Sequence, residues 1–392
     1  MYKQCRKPVF LYLRMNLLQN IMKKAWATCF PCLTPVATLA PVPLMCVIIF
    51  SALFFLPPKT ACAQDFRIVF WNLENFFDTR DDPLTSDDEF TPMGEKHWSR
   101  KKFNEKRNGL AKAILLMADG ELPSLIGVAE AENRYVLRQL TEATALSPAG
   151  YGIIHKDSPD SRGIDVALLY RKDRFSPLKT DFINVRLPDT SMKTRLILYT
   201  KGVLDKLDTI HVFVNHWPSK YGSGVLSDSR REAAAGSLRR YCDSLIFRNS
   251  KANILLMGDF NDSPERSAAS AFAGFTNLAE NLQRRIHRGK NNKETNGAIA
   301  GNASAYKRVK GSIRFMGEWE LIDHFLVSSN LMDSLEPIYC LPESMEFFSH
   351  PYLLENDRQF LGLTPRRTFK GPRYNGGVSD HLPIKMTIKK VW

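Results

Sequence analysis

Short apolar runs rich in β-branched and aromatic residues recur along the chain at Phe66–Trp71, Ile164–Tyr170, Leu196–Tyr199, Ile210–Val214, Ile254–Met257, Leu321–Val327 and Ile384–Ile388. Several alternate apolar with polar positions, and most run into a polar cluster, which predicts strands ending in loops. Helical spacing occurs twice. Leu110, Ala113, Ile114 and Met117 share one face of a first predicted helix, and Ala234, Leu238, Tyr241 and Leu245 one face of a second. A third starts at Ser263-Pro264-Glu265, where a capping serine precedes proline at the first helical position. Strands interspersed with a few helices, without strict βαβ alternation, predict an α/β fold of mixed sheets covered by helices. Two polar stretches, His287–Ser312 and Leu341–Asn375, are long for connections, a length typical of functional lids or disordered insertions.

The first 63 residues differ from the rest. They hold seven basic residues and no Asp or Glu, with a Met22-Lys23-Lys24 start, an apolar Val42–Leu56 and Ala61-Cys62-Ala63 before Gln64. That pattern predicts a leader over 1–63 that is cleaved on export to the periplasm or beyond, and one catalytic domain over 64–392. A retained anchor is the rival reading, but the apolar run falls short of the roughly 20 residues that a span requires. Of the 392 residues, 54 are Lys or Arg and 41 Asp or Glu; without the leader 47 basic residues remain, so the excess falls from +13 to +6. Basicity is therefore weak evidence for a nucleic-acid partner. Five of seven cysteines also lie in the leader, leaving Cys242 and Cys340 to pair or to stay as buried thiols.

Polar residues that follow the strands carry the chemistry. Phe66–Trp71 runs into Asn72-Leu73-Glu74-Asn75, Leu125–Val128 into Ala129-Glu130, and Ile210–Val214 into Asn215-His216. Ile254–Met257 meets Gly258-Asp259-Phe260-Asn261-Asp262, and Gly376-Gly377-Val378-Ser379-Asp380-His381 precedes the last strand. Gathered at one edge, Asn72, Glu130 and Asp380 would make a hard, oxygen-rich set suited to Mg²⁺ or Mn²⁺. Two nearby histidines would suit proton transfer to and from a phosphoester. Taken singly, each has a plainer reading: Asn72 as a turn residue, Glu130 as the start of a solvated helix, His216 as a structural histidine. Asp259–Asp262 alone reads as an Asx turn, and Trp71 and Trp217 as packing.

In order and wording, Trp71-Asn72-Leu73-Glu74-Asn75, Glu130, Asn215-His216, Gly258-Asp259-Phe260-Asn261, Ile322-Asp323-His324-Phe325 and Ser379-Asp380-His381-Leu382-Pro383 resemble the endonuclease/exonuclease/phosphatase superfamily. The resemblance spans Phe66 to Ile388. It implies a four-layer αββα sandwich, with two mixed β-sheets packed face to face and helices outside. It also implies that Asn72 and Glu130 hold the metal with Asp380 close by, that Asp259 and Asn261 hold the phosphate and the attacking or leaving oxygen, and that His381 pairs with Asp323. His216 is then the second histidine of the deoxyribonuclease and sphingomyelinase branches. Asp165, a carboxylate inside an apolar strand, needs a buried partner, and the deoxyribonuclease branch implies that the partner is His216.

Substrate is less defined. Arg284, Arg285, Arg288, Lys290 and Lys293, then Lys307, Arg308, Lys310 and Arg314, are candidates for a nucleic-acid groove, and Arg366, Arg367, Lys370 and Arg373 for a phosphate grip. The leading expectation is a metal-dependent endonuclease. The runner-up is a sphingomyelinase-like phospholipase C or a sugar- or inositol-phosphate phosphatase; phospholipid cleavage would want an apolar wedge, for which Met345-Glu346-Phe347-Phe348 is a candidate. A non-catalytic binding protein on the same fold is the alternative from another class. No protein partner is expected.

Overall fold

In the computed structural model the described residues are 65–391 apart from 119, 190, 221–223, 266–271 and 292–308. The expected leader over 1–63 lies outside them, as do Lys293, Lys307 and Arg308.

The strands in chain order are β1 (Phe66–Phe76), β2 (Leu125–Ala131), β3 (Tyr151–His155), β4 (Asp165–Arg171), β5 (Phe175–Ile183) and β6 (Ile197–Leu204). They continue with β7 (Asp208–His216), β8 (Ile254–Asp259), β9 (Phe275–Asn277), β10 (Ile313–Phe315), β11 (Glu318–Glu320) and β12 (Asp323–Ser328). Last come β13 (Ile338–Phe347), β14 (Leu354–Asn356), β15 (Leu363–Pro365), β16 (Phe369–Lys370), β17 (Arg373–Tyr374) and β18 (Ile384–Lys390). The described α-helices are α1 (Arg100–Leu116), α2 (Arg134–Glu142), α3 (Gly224–Arg248) and α4 (Leu278–Asn291).

Two six-stranded sheets form the centre, in the orders β13-β18-β1-β2-β4-β3 and β5-β6-β7-β8-β12-β9. Each is antiparallel except for one central parallel pair, β1 with β2 and β7 with β8. Strand alternation explains the layering. Along β1, Ile68 and Phe70 enter a core shared with Val212, Val214, Leu255 and Met257 of the second sheet. Val69 and Trp71 point the other way, against Leu110, Ile114 and Leu137 of α1 and α2. The outer face of the second sheet is covered by Ala234, Leu238 and Leu245 of α3. The molecule is the four-layer αββα sandwich that the sequence implied. Burying each such aliphatic or aromatic side chain contributes about 1.5–3 kcal/mol.

Local signals start the helices. Ser99 Oγ accepts from Lys102 N at the start of α1, and Asn133 Oδ1 accepts from Tyr135 N and Val136 N at the start of α2. Glu130 is not in that helix; it is the next-to-last residue of β2, with φ of +59°. The residues after Ser263-Pro264-Glu265 lie outside the described ones, so the third predicted helix has no counterpart among them. The polar stretch 341–375 is not a loose insertion, because it holds much of β13 and the hairpins β14–β15 and β16–β17. Met345 is fully buried and Phe347 and Phe348 pack against the core, so the expected wedge is a packing element. Cys242 and Cys340 are unpaired buried thiols in different clusters.

Candidate active site

Topology brings the candidates to one end of the sandwich. Asn72 and Glu130 lie where the regular pairing of the parallel strands β1 and β2 breaks off, with Asn72 beside Ala129. His216 and Asp259 end the parallel pair β7 and β8, directly opposite each other. Antiparallel strands that start at this end supply the rest: Asp323 opens β12 opposite Asp259, and His381 precedes β18, which pairs with β1. Gly258 is required by closeness, since a Cβ there would lie 2.5 Å from the carbonyl oxygen of Asn215. Gly377 is required likewise, since its Cβ would meet the Arg366 carbonyl.

The centre of the site is the carboxylate of Asp259. Its Oδ2 accepts from Asn72 Nδ2 at 3.1 Å and lies 3.7 Å from His216 Nε2 and 3.8 Å from His381 Nε2. His381 Nδ1 is 2.8 Å from Asp323 Oδ2, and its backbone is fixed by His381 N donating to Ser379 Oγ, which donates to the Asn72 carbonyl at 2.6 Å. Asn261, with φ of +53°, donates through N to Asp259 Oδ1 and through Nδ2 to the Trp217 carbonyl, both at 2.9 Å.

Burial and charge set the two histidines apart. Burial, reinforced by Arg195 and Arg162, holds His216 well below the usual imidazole range. Burial also opposes charge on His381, but Asp323, Asp259 and Asp380 outweigh it and hold His381 well above that range. Burial next to Asp323 pushes the Asp259 carboxyl up to about 7. The site therefore pairs a neutral imidazole with a charged one across a single carboxylate.

Asp165 is not the partner of His216. Its Oδ2 lies 3.0 Å from His155 Nε2, and its Oδ1 accepts from Ser158 N at 2.8 Å and from the Ser158 hydroxyl. With those oxygens taken, His216 Nδ1 has no hydrogen-bond partner among the described residues although it is buried. Asp380 reaches the site only at its rim, where its Oδ2 accepts from Arg367 Nη2 at 3.0 Å.

A second network lies beside the metal candidates and adds Lys106 and Thr368, which no strand-end motif contains. Glu74 is buried, accepts from Arg367 Nε at 3.2 Å and Thr368 N at 2.7 Å, and its carbonyl takes Lys106 Nζ at 2.6 Å. Burial, then Asp380, pushes Glu74 up to about 7; burial lowers Lys106 to about 8. Lys106 sits in α1, outside every strand-end motif, so only its place on an otherwise apolar helix face marked it.

The donors fit a hard divalent cation. Glu130 Oε2 accepts from Asn75 N at 2.9 Å, while Oε1 makes no hydrogen bond among the described residues; its neighbours there are His216 Nε2 at 3.8 Å and Arg162 Nη2 at 4.0 Å. With Asn72 and Asp259 at neighbouring strand ends, this oxygen is a hard donor of the kind that such a cation takes. Asp259, Asp323 and His381 also have ligand atoms within 4.8 Å of one another, but the His381–Asp323 bond already occupies two of them.

The sequence model of the Endonuclease/Exonuclease/phosphatase family matches residues 67–390. No curated protein matches the chain. A mannosyl-6-phosphatase of Bacteroides thetaiotaomicron superposes with a TM-score of 0.51 at 15% identity, covering 83% of this chain and 99% of that one. An endonuclease/exonuclease/phosphatase family protein of the same organism gives 0.50 at 15% identity, covering 83% and 95%. These likenesses speak to the fold.

Proposed function

The chain belongs to the Endonuclease/Exonuclease/phosphatase family, hydrolases that act on phosphoester bonds, and from that premise we propose that it cleaves phosphodiesters with the help of a bound Mg²⁺ or Mn²⁺. The observation that carries this reading is the approach of both imidazoles to one oxygen of Asp259, at 3.7 and 3.8 Å. Neutral His216 takes the proton of the attacking water. Charged His381, steadied by Asp323, gives a proton to the leaving oxygen. Asp259 and Asn261 hold the attacking or leaving oxygen at the phosphate, while Asn72 and Glu130, with Asp380 at the rim, would hold the cation. When bound, the cation supplies charge neutralisation at the phosphoryl group.

Nucleic acid is the leading substrate. Arg162 and Arg367 flank the site and are each about half exposed. Other candidates for a long basic groove are committed elsewhere: Arg285 donates to the carbonyls of Glu343 and Met345, and Arg314 to those of Gly317, Leu361 and Leu363. These two arginines are therefore not free to line such a groove. One observation favours phospholipid as the second reading. Phe315 and Met316, at the tip of β10–β11, are 50% and 70% exposed, and Phe360 and Leu361 in the adjoining turn are 44% and 76% exposed. Ile313, at the base of that hairpin, bridges His381, so this apolar patch adjoins the site.

The deciding test is a panel of plasmid DNA, RNA, sphingomyelin vesicles, sugar phosphates and bis-p-nitrophenyl phosphate, with Mg²⁺, Mn²⁺ or chelator. DNA or RNA cleavage that falls steeply with salt is expected. Lipid turnover without nicking would transfer the reading to phospholipid, and inertness towards every phosphoester would leave the binding-protein alternative. The leader pattern supports export, for which N-terminal sequencing of the mature protein should read from Gln64.

A further inference from the structure

Arg195 lies just before β6 and matches none of the family motifs, yet it is only 8% exposed. Its Nη1 donates to Asp160 Oδ2 at 3.0 Å and its Nη2 to the Trp217 carbonyl at 2.8 Å. The same carbonyl accepts from Asn261 Nδ2 at 2.9 Å, and the Trp217 N–H donates to the Asp259 carbonyl at 2.9 Å. The peptide between Trp217 and Pro218 is thus held from one side by Arg195 and from the other by Asn261. Both lone pairs of its carbonyl are filled. Because the Asn261 amide N–H is spent on that carbonyl, its Oδ1 faces away from Trp217, and no described residue donates to it.

We propose that the Asp160–Arg195 pair is a positioning device for Asn261, acting through the Trp217 carbonyl so that Asn261 presents an acceptor oxygen to the reacting water or hydroxyl. The inference rests on the phosphoesterase reading above. The guanidinium fork is what the arrangement needs, because two bonds in different directions, to Asp160 on one loop and Trp217 on another, come from one rigid planar group. A lysine keeps the charge but reaches only one of the two partners in good geometry. With the fork lost, the carbonyl is free to turn and the asparagine with it, and small displacements of a group at a reacting centre can cost about 10²-fold in rate.

The experiment uses the full chain with Mg²⁺ or Mn²⁺ and bis-p-nitrophenyl phosphate, comparing wild type with R195K, D160N, N261A and R195K/N261A, each checked by thermal unfolding. R195K should lower kcat by about 10²-fold with KM little changed, and in the N261A background it should lower kcat no further, because the path runs through Asn261. D160N, which changes no volume, carries the same test if R195K fails to fold; its loss of kcat should likewise vanish in N261A. Wild-type kcat in R195K and D160N, or a loss that persists undiminished in N261A, would overturn the proposal. A wild type that hydrolyses nothing would instead refute the phosphoesterase reading itself.

Discussion

His381 donates its Nδ1–H to Asp323 Oδ2 at 2.8 Å and turns Nε2 toward Asp259, so carboxylates stand at both ends of one imidazole. Asp323 stabilises the imidazolium and fixes the ring, while the opposite nitrogen is left to meet substrate.

Removing that support should show in rate and in pH. H381A is expected to lose about 10²–10⁴ in kcat. D323N should lose less, and its alkaline limb should move to lower pH. The sign follows from the raised pKa: the contribution to stability is fully present below about 6.5, the unfolded value, and is lost as pH rises through the folded one. Urea unfolding across pH should therefore show wild type and D323N converging under alkaline conditions.

His216 predicts the opposite limb. Its folded pKa lies well below the unfolded value, so the neutral ring's contribution is present above about 6.5 and lost as pH falls. H216Q should flatten this acid loss of stability while lowering kcat by about 10²–10⁴. A pH–rate profile with an acid limb unchanged in H216Q would contradict the role of base.

Asp165 separates structure from catalysis. Replacing it with Ala strips His155 and Ser158 of their buried acceptor, an expected cost of about 1–3 kcal/mol in stability. Activity per folded molecule should fall by less than about tenfold, a change of about 1.4 kcal/mol in barrier. Chemical denaturation together with kinetics on the refolded fraction would check both.

Metal binding can be read without turnover. Mg²⁺ or Mn²⁺ at 100 times its Kd should stabilise the fold by about 2.7 kcal/mol. E130Q should abolish most of that rise in Tm, and comparing the two proteins in chelator separates the lost ion from any change in the fold itself.

Much of this was legible because strand periodicity and strand-end residues are local. Asn72, Glu130, His216 and Asp259 each follow an apolar run, and Gly258 reports a close backbone approach that the fold realises against Asn215. Asp165 shows where locality runs out. A carboxylate in an apolar strand demands a partner but does not name it. The demand was answered by the antiparallel neighbour β3, whose His155 stands opposite Ala167, two residues from Asp165 and on the same face. Lys106 and Arg195 were hidden for a different reason: each acts across elements distant in sequence, as Lys106 does in reaching Thr368.

Glu74, Asn75, Glu130 and Asn261 all hold positive φ without being glycine, a conformation that costs about 1–3 kcal/mol each. Glycine would relax every one of them, and would delete the carboxylate or amide for which the position exists. Breeding this protein solely for heat resistance should therefore erode these four places early, yielding sturdier molecules that have forgotten their chemistry.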